Sequence, residues 1–345
     1  MSKIIEVDLD TIIKNISELK DKIKDKTFLI TGGSGFLGSW FCDVVHLLGG
    51  KIICIDNISS GSKENIQHLI GKNNFTFVNS SILDYIPKEK PDYIVHMASI
   101  ATPPLYMKFP IETLDVNING TRKLLEIARK NDSKGFLFMS TSEVYGNPPD
   151  NLIPTKETFY GIVNSFGPRS MYDEGKRAAE AYCYSYYHKY KMPIRLSRTF
   201  NTFGPRLDVK STSQYGRALI KFVVQALNNR PITIYGDGKQ TRSFCYITDQ
   251  ITGLFKVLLT DGVDGEVFNI GNPKEFNVLD LAKLIVKITK SKSKITMDSP
   301  PNYNLKDNPR RRCPDITKAR GMLKYLPKVN LEEGLKRVIS HLEQD

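Results

Sequence analysis

The sequence predicts an α/β protein built on a doubly wound parallel sheet, with a smaller substrate-binding lobe toward its C-terminal end. Three observations carry that prediction. Short apolar runs of strand length alternate with helical stretches as far as about Phe200, the pattern of strands joined by crossover helices and covered on both faces. The first run feeds directly into a glycine-rich turn that opens a helix. Beyond Phe200 the alternation gives way to Pro, Gly and Asp punctuation, as in "PITIYGDGKQTRSFCYITD", followed by a helical C-terminus from Leu331.

Taken in order, residues 1–25 read as one amphipathic, charged helix (Ile4, Ile5, Val7, Leu9, Ile12, Ile13, Ile16, Leu19, Ile23), expected to pack on the body or on a partner subunit. Six buried strands are expected at Thr27–Thr31, Lys51–Asp56, Phe75–Asn79, Tyr93–Met97, Gly135–Ser140 and Ile194–Thr199. The expected organisation is an N-terminal extension over 1–25, a dinucleotide-binding unit over 26–200 and a second lobe mainly over 201–345, with the chain crossing between the lobes.

Composition narrows the class. With 345 residues, 40% apolar and 25% charged, the chain can bury a large core. No apolar run approaches the roughly 20 residues of a bilayer span, and no signal-peptide pattern opens the sequence, so a cytoplasmic protein away from the membrane is expected. The cysteines Cys42, Cys54, Cys183, Cys245 and Cys313 form no C-x-x-C pair, which argues against a zinc site or a disulfide framework. The formal charge of +12 is spread along the chain and is not gathered into a basic stripe with interleaved aromatics; a phosphorylated, acidic small molecule explains it equally well, and no nucleic-acid partner is expected.

The first strand runs into Thr31-Gly-Gly-Ser-Gly-Phe-Leu-Gly38, which places Gly32, Gly35 and Gly38 at the start of a helix. Such glycines serve a tight turn, a close backbone approach to a pyrophosphate, and close packing of helix on strand. The helix N-terminus adds free N–H groups and the positive end of its dipole. A glycine triplet alone is weak, but the second strand ends at Asp56, placed to accept hydrogen bonds from the adenosine ribose and to repel a 2′-phosphate. Asn57 follows it where an arginine would suit NADP, so a Rossmann-like NAD site is expected.

The fifth strand delivers Thr141-Ser142-Glu143 to the carboxyl edge of the sheet, where open α/β folds bind ligands. Tyr172 and Lys176 then sit at i and i+4 on one helix face. A phenol ordinarily titrates near about 10, so Tyr172 can act as a base at neutral pH only beside a cation. Lys176 is spaced to be that cation. A core tyrosine next to a surface lysine is the ordinary explanation of such a pair; downstream of a dinucleotide fingerprint, catalysis is the better one.

TGGSGFLG, Asp56, TSEVYG and YDEGK in this order resemble the extended short-chain dehydrogenase/reductase family of nucleotide-sugar enzymes, from Thr27 to the C-terminal helix. "GPRSMYDEGKRAAE", "RTFNTFGPR", "YGDGKQTRSFCYITD" and "RRRCPDI" are most similar to the UDP-glucuronate decarboxylases within it. The resemblance implies a homodimer paired through helices that include Ile111–Lys130 and Tyr172–Tyr190, and NAD-dependent conversion of UDP-glucuronate to UDP-xylose through a 4-keto sugar. It implies a cofactor set of Gly32, Gly35, Phe36, Leu37, Gly38, Asp56, Asn57, Ala98, Tyr172 and Lys176, and a catalytic set of Thr141, Ser142, Glu143, Tyr172, Lys176 and Arg312. It also implies a substrate set of Pro104, Tyr106, Arg169, Asn201, Arg206, Arg217, Tyr235, Arg242 and Arg312, and a diphosphate does call for Arg and Asn donors. No metal is expected.

Three alternatives stay open. A 4,6-dehydratase would need an Asp general acid where Ser142 stands. A 4-epimerase uses the same oxidation and rotates the keto sugar. A non-catalytic nucleotide-binding scaffold would not need Tyr172 and Lys176. The sequence also departs from the family at Ser81, where an Asp usually meets the adenine amine.

Overall fold

The structure is a computed structural model that describes residues 2–207, 218–299 and 309–344. Its centre is a seven-stranded parallel sheet of β1 (Thr27–Thr31), β2 (Lys51–Asp56), β3 (Phe75–Asn79), β4 (Tyr93–His96), β5 (Gly135–Thr141), β6 (Ile194–Thr199) and β7 (Val267–Ile270). The spatial order is β7-β6-β5-β4-β1-β2-β3. Strand order reverses between β1 and β4, paired in register from Phe28 opposite Tyr93 to Thr31 opposite His96, and this switch point opens a crevice at the carboxyl edge. The six strands expected from the apolar runs are present, with β4 one residue shorter and β5 one residue longer.

The helices are α1 (Lys3–Asn15), α2 (Phe36–Leu47), α3 (Pro103–Lys108), α4 (Pro110–Lys130), α5 (Ser170–Tyr190), α6 (Ala218–Leu227), α7 (Ile247–Leu259), α8 (Val278–Thr289), α9 (Thr317–Leu323) and α10 (Leu331–Leu342). Helices α4 and α5 pack together on one face of the sheet, where Leu124, Leu125, Ala179 and Cys183 join Leu29, Ile94 and Phe138. On the other face α2 and α7 bury Phe41 stacked on Phe255 at 3.9 Å between ring centres. Beyond β6 the chain forms three two-stranded ribbons: Thr202–Phe203 with Cys245–Tyr246, Thr241–Ser243 with Glu275–Asn277, and Ile232–Tyr235 with Ile295–Asp298. No described helix is long and apolar enough to cross a membrane.

The N-terminal segment corrects one expectation. The α-helix stops at Asn15 and continues as a 3-10 turn over Ser17–Lys22, although Ile16, Leu19 and Ile23 remain buried at helical spacing. Asn and Ser favour local backbone bonding over helix propagation, and the unbroken apolar period hides the change. The helix α1 lies on α2 and α7 of its own chain. Its Asp8, fully buried, pairs with Arg337 of α10 and accepts from the Tyr246 hydroxyl. Burial raises the Asp8 pKa, and these two partners oppose the rise.

Candidate active site

One cleft of about 2710 Å³ follows the carboxyl edge of the sheet and is lined by both the glycine turn and the second-lobe residues. At its cofactor end Gly32 has φ of +71°, and a Cβ there would stand 2.7 Å from the Ala98 nitrogen. A Cβ on Gly38 would stand 2.1 Å from the Gly32 carbonyl oxygen. Only glycine permits this turn to lie so flat on the start of α2. The helix has Gly35 as its N-cap with no side-chain cap, and Phe36 and Leu37 of its first turn line the cleft. The Asp56 carboxylate closes the turn by accepting from Ser34 N at 2.9 Å and Ile58 N at 2.8 Å. Asn57 and Ala98 line the same wall. The cradle fits a dinucleotide, whose pyrophosphate would sit at the helix start and whose ribose would face the Asp56 carboxylate. Ser81 also lines the cleft, with its Oγ accepting from Leu83 N at 3.2 Å.

Tyr172 and Lys176 stand one turn apart at the start of α5. The Tyr172 ring is buried and stacks on Tyr106 at 5.4 Å between centres, 10° from parallel. Tyr106 belongs to α3, which Pro103 and Pro104 open in its first turn; of the two prolines, Pro103 faces the cleft. Lys176 is 1% exposed, donates to the Met139 carbonyl at 2.9 Å and lies 4.8 Å above the Phe138 ring. Burial pulls its pKa down to about 7, against the opposing pull of Glu180. The amine therefore sits on the last residues of β5, the strand that presents Thr141. Thr141 Oγ1 accepts from Glu143 N at 3.2 Å, capping the 3-10 turn of Ser142–Tyr145. Its hydroxyl proton stays available to a ligand.

Glu143 is held by two arginines from distant segments, Arg169 at the N-cap of α5 and Arg312. Arg169 also reaches Asp173 at 3.4 Å, and Arg312 donates to the Gly146 carbonyl at 3.2 Å. Arg312 is 5% exposed, and burial lowers its pKa to about 9, which still leaves it protonated at neutral pH. The cluster thus sets two cations, Arg169 and Arg312, against two carboxylates, Glu143 and Asp173. Arg312 stands behind Glu143 and does not face the cleft directly.

The remaining expected residues are placed unevenly. Asn201, Tyr235 and Arg242 line the cleft, with Asn201 Nδ2 donating to Ser243 O at 3.3 Å and Arg242 to Thr241 O at 2.7 Å. Lys221 donates to the Tyr235 hydroxyl at 3.2 Å. Arg206 also lines the cleft, and its guanidinium pairs with Asp43 at 2.7 Å and lies 5.1 Å from the Trp40 ring. Arg217 lies outside the described residues.

Sequence reasoning did not find the network under the site. Glu180 takes both arms of Arg198 at 2.9 and 2.6 Å and the Ser140 hydroxyl at 2.6 Å. Arg198 continues to the Tyr145 hydroxyl at 3.1 Å, which donates to Asn269 Oδ1 at 2.7 Å. The visible signal was an Arg inside a buried strand, which demands a carboxylate.

Comparison with known proteins agrees with this geometry. A UDP-glucuronic acid decarboxylase 1 of Xenopus tropicalis is 40% identical over 333 residues, covering 96% of this chain and 75% of that protein. One of Arabidopsis thaliana is 40% identical over 312 residues, covering 90% and 68%. Among solved structures, an epimerase of Methanothermobacter thermautotrophicus superimposes with a TM-score of 0.85 at 29% identity, covering 96% of both chains. A UDP-glucuronic acid 4-epimerase of Bacillus cereus, in complex with UDP-glucuronic acid and NAD, gives 0.81 at 29% identity over 92% of this chain and 99% of that one. The model of the NAD dependent epimerase/dehydratase family matches residues 28–271, and the chain belongs to that family.

Proposed function

We propose that this protein is an NAD-dependent enzyme that decarboxylates UDP-glucuronate to UDP-xylose. The observation that carries the reading is the meeting, at the end of β5, of the Tyr172–Lys176 pair with Thr141, Ser142 and the Glu143–Arg169–Arg312 cluster. The 40% identity to UDP-glucuronic acid decarboxylases over nearly the whole chain supports it.

NAD would be held by the Gly32–Gly38 turn, the start of α2, Asp56 and the Ala98 wall, and would supply reversible hydride transfer at C4 of the sugar. The chain's own residues do the rest. Tyr172 removes the O4 proton, its phenolate favoured by the Lys176 ammonium. The sugar is then a β-keto acid; as the C5–C6 bond breaks and CO₂ leaves, Tyr172 and Thr141 donate hydrogen bonds to the enolate forming at O4, and a proton from water at C5, the hydride back at C4 and the Tyr172 proton back at O4 complete the UDP-pentose. Arg169, which lines the cleft beside Glu143, draws the substrate carboxylate in, and Glu143 limits how tightly it is held, favouring departure as neutral CO₂. Ser142 stands where a dehydratase needs an acid to protonate a leaving hydroxyl, and its hydroxyl is too weak an acid for that role. Asn201, Tyr235 and Arg242 would receive the UDP moiety.

The likeness to a UDP-glucuronic acid 4-epimerase favours epimerisation as the second reading. Incubation with UDP-glucuronate, followed by NMR, separates the two. Loss of CO₂ with a UDP-pentose product supports decarboxylation, UDP-galacturonate indicates epimerisation, and recovery of unchanged substrate removes both. The proposed assembly is a homodimer paired through α4 and α5, in keeping with the 70% exposure of Ile111 and the 65% exposure of Tyr184. A cytoplasmic setting accords with five cysteines that are all free.

A further inference from the structure

Away from the reacting residues, the chain segment that leaves the substrate side of the cleft is fastened to the cofactor helix by a buried cluster. Asn201, at the start of this segment, lines the nucleotide-sugar half, and Pro205 and Arg206 end it against α2. Trp40 Nε1, one turn into α2, donates to the Pro205 carbonyl at 3.2 Å, and its ring lies under the Arg206 guanidinium at 5.1 Å. Asp43, almost fully buried on the next turn, pairs with Arg206 at 2.7 Å and with His68 Nε2 at 2.6 Å. Arg206 itself has φ of +69°, a left-handed backbone that a non-glycine residue holds only when its surroundings enforce it.

We propose that Trp40, Asp43 and Arg206 form a clasp through which occupation of the nucleotide-sugar half of the cleft tightens the NAD half, and the reverse. The inference rests on the functional reading above, because it requires both ligands. The geometry supplies the connection. The amides that face the cofactor are the first turn of α2, and Trp40 and Asp43 are on the turns that follow. A diphosphate drawn to Asn201 fixes the short segment to Arg206, and the clasp passes that ordering to the helix. Breaking an ion pair of this kind uncouples the two halves more than it weakens either. Linkage makes the effect reciprocal: the factor by which UDP improves NAD binding equals the factor by which NAD improves UDP binding. Arg206 acts in this coupling as a positioning residue.

The test is a titration of the full-length protein with NADH, followed by its fluorescence, without UDP and with saturating UDP. In the wild type, UDP is expected to tighten NADH binding at least about fivefold, the lower end of ordinary coupling. In Arg206→Lys and, independently, Trp40→Phe, that factor should fall below about twofold, while NADH affinity without UDP changes less than about threefold. A purely structural role would weaken both ligands and leave the factor intact, and that result overturns the inference. Independent binding of NADH and UDP to the wild type also overturns it and leaves the functional reading standing. Binding of neither ligand removes the functional reading and the clasp together.

Discussion

Replacing Lys176 with Met should make the protein more stable and inactive. The ammonium is 1% exposed and its pKa falls from 10.5 to about 7 through burial, which at about 1.4 kcal/mol per pH unit corresponds to roughly 5 kcal/mol of stability forgone near neutrality. Methionine removes that penalty. It also removes the hydrogen bond to the Met139 carbonyl, worth about 1 kcal/mol, and the contact over the Phe138 ring, worth roughly 1 kcal/mol. The net gain is about 3 kcal/mol. With an unfolding entropy of about 2.1 cal/mol/K per residue, the 345-residue chain should melt about 4 °C higher. The folded lysine binds its proton less tightly than the unfolded one, so between about pH 7 and 10.5 the unfolded chain holds the extra proton and wild-type stability rises with pH. The advantage of the variant is therefore largest at pH 7 and gone by pH 10. Calorimetry on cofactor-free protein at both pH values measures this directly. A variant that melts below the wild type at pH 7, with an unchanged pH profile, would refute the account of Lys176 as a buried cation retained for chemistry.

Tyr172→Phe should lower turnover by at least about 100-fold, the usual contribution of a general acid–base group, with NADH affinity held within about twofold; full activity by product NMR removes Tyr172 from the mechanism. Gly38→Ala places a methyl 2.1 Å from the Gly32 carbonyl oxygen, so NADH titration should show binding lost while circular dichroism stays unchanged. Arg337→Met leaves the buried Asp8 without its cation, which should cost about 3–5 kcal/mol and lower the melting temperature by roughly 4–7 °C; an unchanged melting curve would show that α1 is not held to the body by this pair.

How much of this was legible in the sequence depended on whether the determining interactions are local. The strands β1 to β6 could be read because each is a short, largely apolar run closed by turn or polar residues, with β6 interrupted by Arg195, Ser197 and Arg198, and both sheet faces are covered. The seventh, Val267–Ile270, is only four residues long; it follows α7 and completes the sheet along the open edge of β6. The glycine turn, Asp56 and the Tyr172–Lys176 pair were readable for the same reason, since each is a spacing within one turn or one strand end. The Glu143–Arg169–Arg312 cluster joins three segments, and only the fold brings them together.

Arg206 shows where motif reasoning runs out and what would have extended it. A diphosphate needs arginines, but a motif does not say which anion a given arginine faces. The sequence did hold a second anion. Asp43 sits inside "FLGSWFCDVVHL", flanked by Phe41, Cys42, Val44 and Val45, all of them buried in the fold. A carboxylate on the core side of an apolar helix is tolerated only with a cation and further donors around it. That requirement could have been read from α2 alone: some Arg or Lys elsewhere in the chain had to be committed to it. The partner that meets it comes from the substrate side of the cleft, so a stability constraint inside the cofactor helix selected the residue that links the two halves of the site.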